Sequence, residues 1–297
     1  MGSCRKSAYD IRWKWCIGML TDLLRKLKKL GTYLALITSR AIRLKESRYK
    51  LALFDLNQLT LQAAEPSYEA EMRAMYEREL KENNGYFIDV GANQGQTLLA
   101  LLSVSASIPY LGIEPQPACA ANIQDFLQQN LLSDHQILCA CVSDGESITH
   151  LESNHSGDVR ASIVSGYRPD DTFRFKTPTP TIAGDKLVKD LGLAKVQFIK
   201  IDVEGAELEV LRSFKKTLLE HKPKITFEIL PDVLVSTGEH LPTGVLSVRR
   251  AREAALSEFL SSVDYSSTLL SRDGEKSGKI GPDPDGAVRN YIATPLN

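Results

Sequence analysis

No stretch of this chain reaches the roughly 18 uninterrupted apolar residues that a membrane-spanning helix requires. The apolar positions near its start are broken by Asp22, Arg25, Lys26, Lys28 and Lys29, which also argues against a cleavable leader. Cysteine is sparse: five residues, an odd number in no regular framework, fit free thiols in a reducing compartment better than a disulfide-stapled secreted fold. The expected location is therefore the cytoplasm. Zinc-site spacing is absent as well, because Cys139 and Cys141 have only His150 and His155 near them. Those two cysteines are expected as small buried residues on one face of a strand. There is no internal repeat, no G-x-G-x-x-G fingerprint, and no overall excess of charge, the net being -1.

That small net charge hides an asymmetry. Residues 1–50 carry thirteen Lys and Arg against Asp10, Asp22 and Glu46, an excess of ten positive charges, and the remaining 247 residues carry an excess of eleven negative ones. Trp13, Ile17, Leu20, Leu24, Leu27 and Leu34 fall three, four or seven apart, the spacing of one side of a helix, while Lys14, Arg25, Lys28 and Lys29 lie largely elsewhere. This basic amphipathic arm either rests residues 5–50 on an anionic membrane surface, making the protein membrane-peripheral, or is a leader that packs its stripe on the domain that follows or stays partly disordered. It contains no base-reading module, so specific nucleic-acid binding is not expected.

At 297 residues, 43% of them hydrophobic, the chain has room for one α/β domain over 51–297 behind that arm. Residues 51–64 and 67–83 read as helices, with Asn83-Asn84-Gly85 as a stop signal. Strand patterns then alternate with helix patterns: strands over 86–90, 110–114, 136–142, 196–202 and 224–230, and helices over 117–130, 183–191, 206–220 and 247–262. Late strands near 265–270 and 288–292 complete a count of seven. Between them, residues 143–181 form a polar stretch of weak periodicity, of a length more common in lids and substrate-binding elements than in connectors.

Three motifs carry chemistry. In Asp89-Val90-Gly91-Ala92-Asn93-Gln94-Gly95-Gln96-Thr97 the glycines permit positive φ and close backbone approach, and the helix that follows offers unpaired N–H groups to an anion. Glu114 ends the next strand about twenty residues on, where α/β cofactor sites place a carboxylate for ribose hydroxyls. The third is the run Phe198-Ile199-Lys200-Ile201-Asp202-Val203-Glu204-Gly205-Ala206-Glu207, in which Lys200 points either to the cleft or to a helix layer.

The ordered set DVGANQG, IEP, IKIDVEGAELEVL and FEILP resembles the FkbM family of S-adenosylmethionine-dependent methyltransferases over residues 85–232. The resemblance implies a class I Rossmann-like fold, a seven-stranded, mostly parallel sheet with helices on both faces, and O-methylation of a hydroxyl on a sugar, polyketide, glycan or similar molecule. It implies that Asp89, Gly91, Asn93 and Gly95, with Gln96 closing the turn, hold the methionine end of the cofactor. Glu114 would take the ribose, Ser143 and Asp144 the adenine edge, and Asp202 the methionine amine or the substrate.

Methyl transfer to an alcohol needs an acceptor oxygen held in line and one modest base. Asp202, Glu204, Glu228 and His155 are the candidates, with N-capping of the helix at Ala206 an equal reading for Glu204 and a plain loop residue the alternative for His155. The Asp, Glu, Glu group invites a Mg²⁺ reading, but no further oxygen ligand is in evidence and no metal site is expected. A non-catalytic cofactor-fold scaffold tethered by the arm is the competing function, and labelled methyl transfer separates the two.

Overall fold

The computed structural model describes residues 41–44, 47–50, 70–82, 85–169, 172–233, 238–271, 274–277, 280–281 and 288–296. The amphipathic stripe from Trp13 to Leu34 and the helix expected over 51–64 lie outside the described residues. Within the expected arm, β1 (Ala41–Leu44) and β2 (Ser47–Lys50) pair as an antiparallel hairpin, with Ala41 opposite Lys50.

The domain is built on one sheet. Strands β3 (Tyr86–Val90), β4 (Tyr110–Ile113), β5 (His135–Leu138), β9 (Val196–Ile201) and β10 (Lys224–Ile229) run parallel, and β11 (Tyr265–Ser271), β12 (Gly274–Ser277) and β13 (Arg289–Pro295) extend it antiparallel. The spatial order is β12-β11-β13-β10-β9-β3-β4-β5. All seven expected strands are present, and the short β12 adds an eighth at the edge. From β3 the chain builds outward through β4 and β5, then crosses back to lay β9 on the other side of β3. The order therefore reverses between β3 and β9, where open α/β sheets leave a crevice at the strands' carboxyl ends.

Both faces of the strands are buried, so they read as apolar runs, and alternation assigns each residue to a layer. Phe87 and Phe198 face α1 (Ala70–Glu79), α2 (Gln96–Val104) and α3 (Pro117–Gln129), and their rings stack at 5.1 Å with Tyr76 edge-on to both. Ile88, Val90, Ile199 and Ile201 face the opposite layer of α4 (Gly184–Asp190), α5 (Glu207–Ser213), α6 (Lys215–His221) and α7 (Thr243–Ser262). The helix expected over 206–220 is thus two helices, broken at Phe214, whose fully buried ring occupies the space that Gly184 leaves by lacking a Cβ.

Two further expectations are corrected. The strand expected over 136–142 ends at Leu138, and β6 (Cys141–Val142) joins a separate three-stranded sheet of order β6-β8-β7. Cys139 and Cys141 consequently do not share a buried face: Cys139 is exposed and Cys141 buried, both as free thiols. The polar stretch 143–181 contains the other two strands, β7 (Ile148–Ser153) and β8 (Phe175–Ile182), paired antiparallel from Ile148 opposite Pro180 to Ser153 opposite Phe175. Among the described residues no helix is long and apolar enough to cross a membrane.

Candidate functional site

A cavity of about 280 Å³ opens at the carboxyl ends of β3, β4, β9 and β10, where the order reversal places it. Its floor is the turn after β3. Gly91 has φ +88°, and a Cβ there would stand 1.9 Å from the carbonyl oxygen of Asp202, so only glycine lets the ends of β3 and β9 close up. The Gly91 and Ala92 N–H groups both donate to the Ile113 carbonyl, at 2.9 and 3.1 Å, fixing the turn to the end of β4. Gly95, at φ +87°, is the N-cap of α2, so the unpaired first turn of that helix, with Gln96 and Thr97, borders the cavity.

Glu114, just beyond β4, lines the cavity beside that turn and is only 3% exposed. Its carboxylate accepts the Asn93 N–H at 2.8 Å and the Gln116 N–H at 2.9 Å. Burial raises its pKa against the pull of those donors. Each carboxylate oxygen still has a lone pair to offer a hydroxyl. The Asn93 side-chain oxygen is buried without a hydrogen-bond partner among the described residues, although Asn93 lines the cavity. An orphaned acceptor at the edge of a cavity calls for a donor on whatever fills it.

Asp89 lies beneath this floor, fully buried. It accepts a hydrogen bond from the Tyr110 hydroxyl at 2.7 Å and faces the Lys200 ammonium at 3.4 Å. Burial raises its pKa despite that cation. The question left open for Lys200 is answered toward the cleft: its ammonium also stands 3.2 Å from Asp202 Oδ2 and 3.4 Å from the Gly91 carbonyl.

Asp202, Glu204 and Glu228 bring carboxylate oxygens within 4.8 Å of one another. Desolvation pushes the Glu228 pKa to about 9, with the charges of Asp202 and Glu204 adding to it. Glu204 rises to about 7, burial outweighing the attraction of Arg168, with which it is ion-paired. N-capping by Glu204 is not what forms: α5 begins at Glu207 behind Ala206 with no side-chain cap, and the Gly205 N–H donates to Glu207 at 3.0 Å. The three carboxylates stand close enough to share one cation, and Lys200 Nζ lies 3.2 Å from the Asp202 carboxylate among them.

The remaining wall comes from the stretch between β7 and β8, which contributes Asp158, Val159, Ala161 and Ile163. Gln116 anchors its near end, donating to the Asp158 carbonyl at 3.1 Å and accepting the Gly157 N–H at 2.7 Å. Of the residues singled out in the sequence, Gly91, Asn93, Gln96, Glu114, Asp202, Glu204 and Glu228 meet on this one cavity, while Asp89 and Gly95 support it from behind. Ser143 and Asp144 do not line it, because the chain bends away after β6 and the wall there is Ala140, Cys141 and Val142. His155 does not line it either; it is exposed in a turn, with Nδ1 3.0 Å from the Ser156 carbonyl. Sequence reasoning passed over Arg168 and Gln116, and only the position of Gln116, two residues beyond Glu114, offered a signal.

Residues 89–240 match the family described as the methyltransferase FkbM domain. Among solved structures the chain is similar to the methyltransferase FkbM from Methylobacillus flagellatus KT, at 18% identity over 92% of this chain and 60% of that one, with a TM-score of 0.44. It is also similar to the O-methyltransferase from Bacillus cereus in complex with SAH, at 13% identity over 83% of this chain and 84% of that one, with a TM-score of 0.41. The chain thus spans 60% of the length of the Methylobacillus protein. No curated protein matches it.

Proposed function

Because this chain belongs to the FkbM methyltransferase family, we propose that its cavity takes S-adenosylmethionine and that the methyl group passes to a hydroxyl oxygen of a sugar, polyketide, glycan or similar small molecule. One observation carries the cofactor assignment: a cradle that a Cβ at Gly91 would destroy, a strand-end carboxylate at Glu114 and the orphaned Asn93 oxygen all border the same cavity. In this reading the turn from Gly91 to Gln96 and Asp202 hold the amino-acid end, Glu114 the ribose, and Ala140, Cys141 and Val142 flank the adenine.

The cofactor supplies an electrophilic methyl group on a sulfonium, whose sulfur keeps the electron pair of the broken bond. The chain supplies position and a proton acceptor. Holding the acceptor oxygen in line contributes about 7 to 11 kcal/mol, and a base adds a factor of about 10² to 10⁴. Glu204 and Glu228 line the acceptor end of the cavity with carboxyl groups, which favours a neutral hydroxyl compound over an acid or a phosphate ester.

Calorimetry with S-adenosylhomocysteine is the test. Glu114→Ala removes the carboxylate that Asn93, Gln116 and the ribose share, and we expect it to weaken binding about 10- to 150-fold, one charge-assisted hydrogen bond's worth. Absence of binding by the unaltered protein overturns the cofactor assignment. Binding without transfer of labelled methyl to any hydroxyl acceptor overturns the catalytic one.

A further inference from the structure

The acidic trio is not symmetric, and the asymmetry comes from outside the recognised motifs. Glu204 has its backbone in the left-handed region, φ +55°, which swings its carboxylate toward the stretch between β7 and β8. That stretch is fastened onto the same turn at three points. The Ser162 hydroxyl donates to the Glu204 carbonyl at 2.8 Å, the Tyr167 ring fills the space that Gly205 leaves by lacking a Cβ, and the Arg168 guanidinium donates to the Glu204 carboxylate. The Arg168 and Glu204 side chains are 16% and 14% exposed, so their attraction is poorly screened. No ion pair reaches Glu228 among the described residues, and the nearest lysine, Lys200, is engaged with Asp89 and Asp202.

We propose that Arg168 is a positioning residue that makes Glu204 the proton acceptor of this cavity and leaves Glu228 as a protonated hydrogen-bond donor to the acceptor molecule. The inference rests on the methyltransferase reading for its purpose but on the Arg168–Glu204 geometry for its content. The proton that the acceptor oxygen gives up on methylation passes to the Glu204 carboxylate. A base must be free of its own proton at the working pH: the Arg168 ion pair favours that for Glu204, whereas Glu228, pushed up by burial and by the charges of Asp202 and Glu204, has no ion pair among the described residues and holds its proton. Neighbouring carboxyls pushed to different values divide acid and base roles between them. The groups whose charges bear on Glu204 are Arg168, Asp202, Glu207, Glu228 and Arg249; Asp202 and Glu207 raise its pKa and Arg168 is the largest influence lowering it.

The experiment is a carbon-13 titration of the whole protein labelled at glutamate carboxyls, with the two signals assigned through Glu204→Gln and Glu228→Gln. As pH rises, Glu204 is expected to lose its proton before Glu228. Arg168→Gln should raise the Glu204 midpoint by about one unit or more, and Arg168→Lys, which restores the charge without the fork, should recover part of that shift. An unchanged Glu204 midpoint in Arg168→Gln overturns the proposal, and so does a wild type in which Glu228 titrates first. Should Arg168→Gln fail to fold, Arg168→Lys decides: a smaller rise supports the proposal and no rise overturns it. S-adenosylhomocysteine affinity, measured on the same samples, judges the cofactor assignment separately, since Arg168 does not line the cavity.

Discussion

At the scale of single residues, two positions have effects opposite to their chemical modesty. A methyl group added at Gly91 meets the Asp202 carbonyl at 1.9 Å in a backbone conformation with φ +88°, so the ends of β3 and β9 must part to admit it. We expect Gly91→Ala to cost about 1 to 3 kcal/mol from the conformation alone and to abolish S-adenosylhomocysteine binding; a variant that melts and binds like the wild type contradicts the proposed cradle. Glu228 works the other way. Its folded pKa of about 9 stands above the usual 4.5, so between those values the folded state keeps a proton that the unfolded chain has released, and stability falls as pH climbs through that window. Glu228→Gln has no such proton, so its melting temperature should exceed that of the wild type by a margin that widens from about pH 5 to about pH 8. A constant margin across that range would mean that Glu228 is not held protonated.

At the scale of elements, the parts of the fold that repeat a simple pattern were legible and the parts that depend on a neighbour were not. β3 and β9 are apolar runs ending just before Gly91 and just before Asp202, and the glycines and acids at those ends announce the cavity without help. β8 was hidden by Pro178 and Pro180, which normally disqualify a strand. They are tolerated because the Thr181 N–H donates to Ser147 beside β7, so by alternation the proline nitrogens face away, where β6 pairs only with Thr181 and Ile182. Arg168 was illegible for a related reason, since its partner is 36 residues away on another element. The element that holds this assembly together is α7. Arg249, 3% exposed, donates to the Tyr167 carbonyl at 3.1 Å and the Pro231 carbonyl at 2.5 Å, with its guanidinium 4.7 Å over the Tyr167 ring. Arg249→Gln cannot reach both carbonyls, and we expect a loss of about 2 to 6 kcal/mol for the two together, with trypsin cutting faster at Arg160 and Arg174. Unchanged cleavage there would show that α7 does not hold the stretch in place.

At the scale of the whole molecule, the charge divides the chain as sharply as the fold does. The ten excess positive charges of residues 1–50 have two places to go: the acidic domain of their own chain, with its eleven excess negative charges, or an external anionic surface. A membrane repels the domain as it attracts the arm, so contact through the arm alone is the arrangement that electrostatics favours, at about 1 kcal/mol for each cation near the surface. The domain's own acids compete for the same cations, and salt weakens both attractions over a screening length of about 10 Å at 0.1 M. The full chain is therefore expected to float with phosphatidylserine vesicles at low ionic strength and to be released as salt is added. A chain beginning at residue 51 should stay at the bottom of the gradient and bind S-adenosylhomocysteine as tightly as the full chain. If the full chain also stays at the bottom in low salt, the arm's charges are spent on its own domain and the membrane contact is rejected.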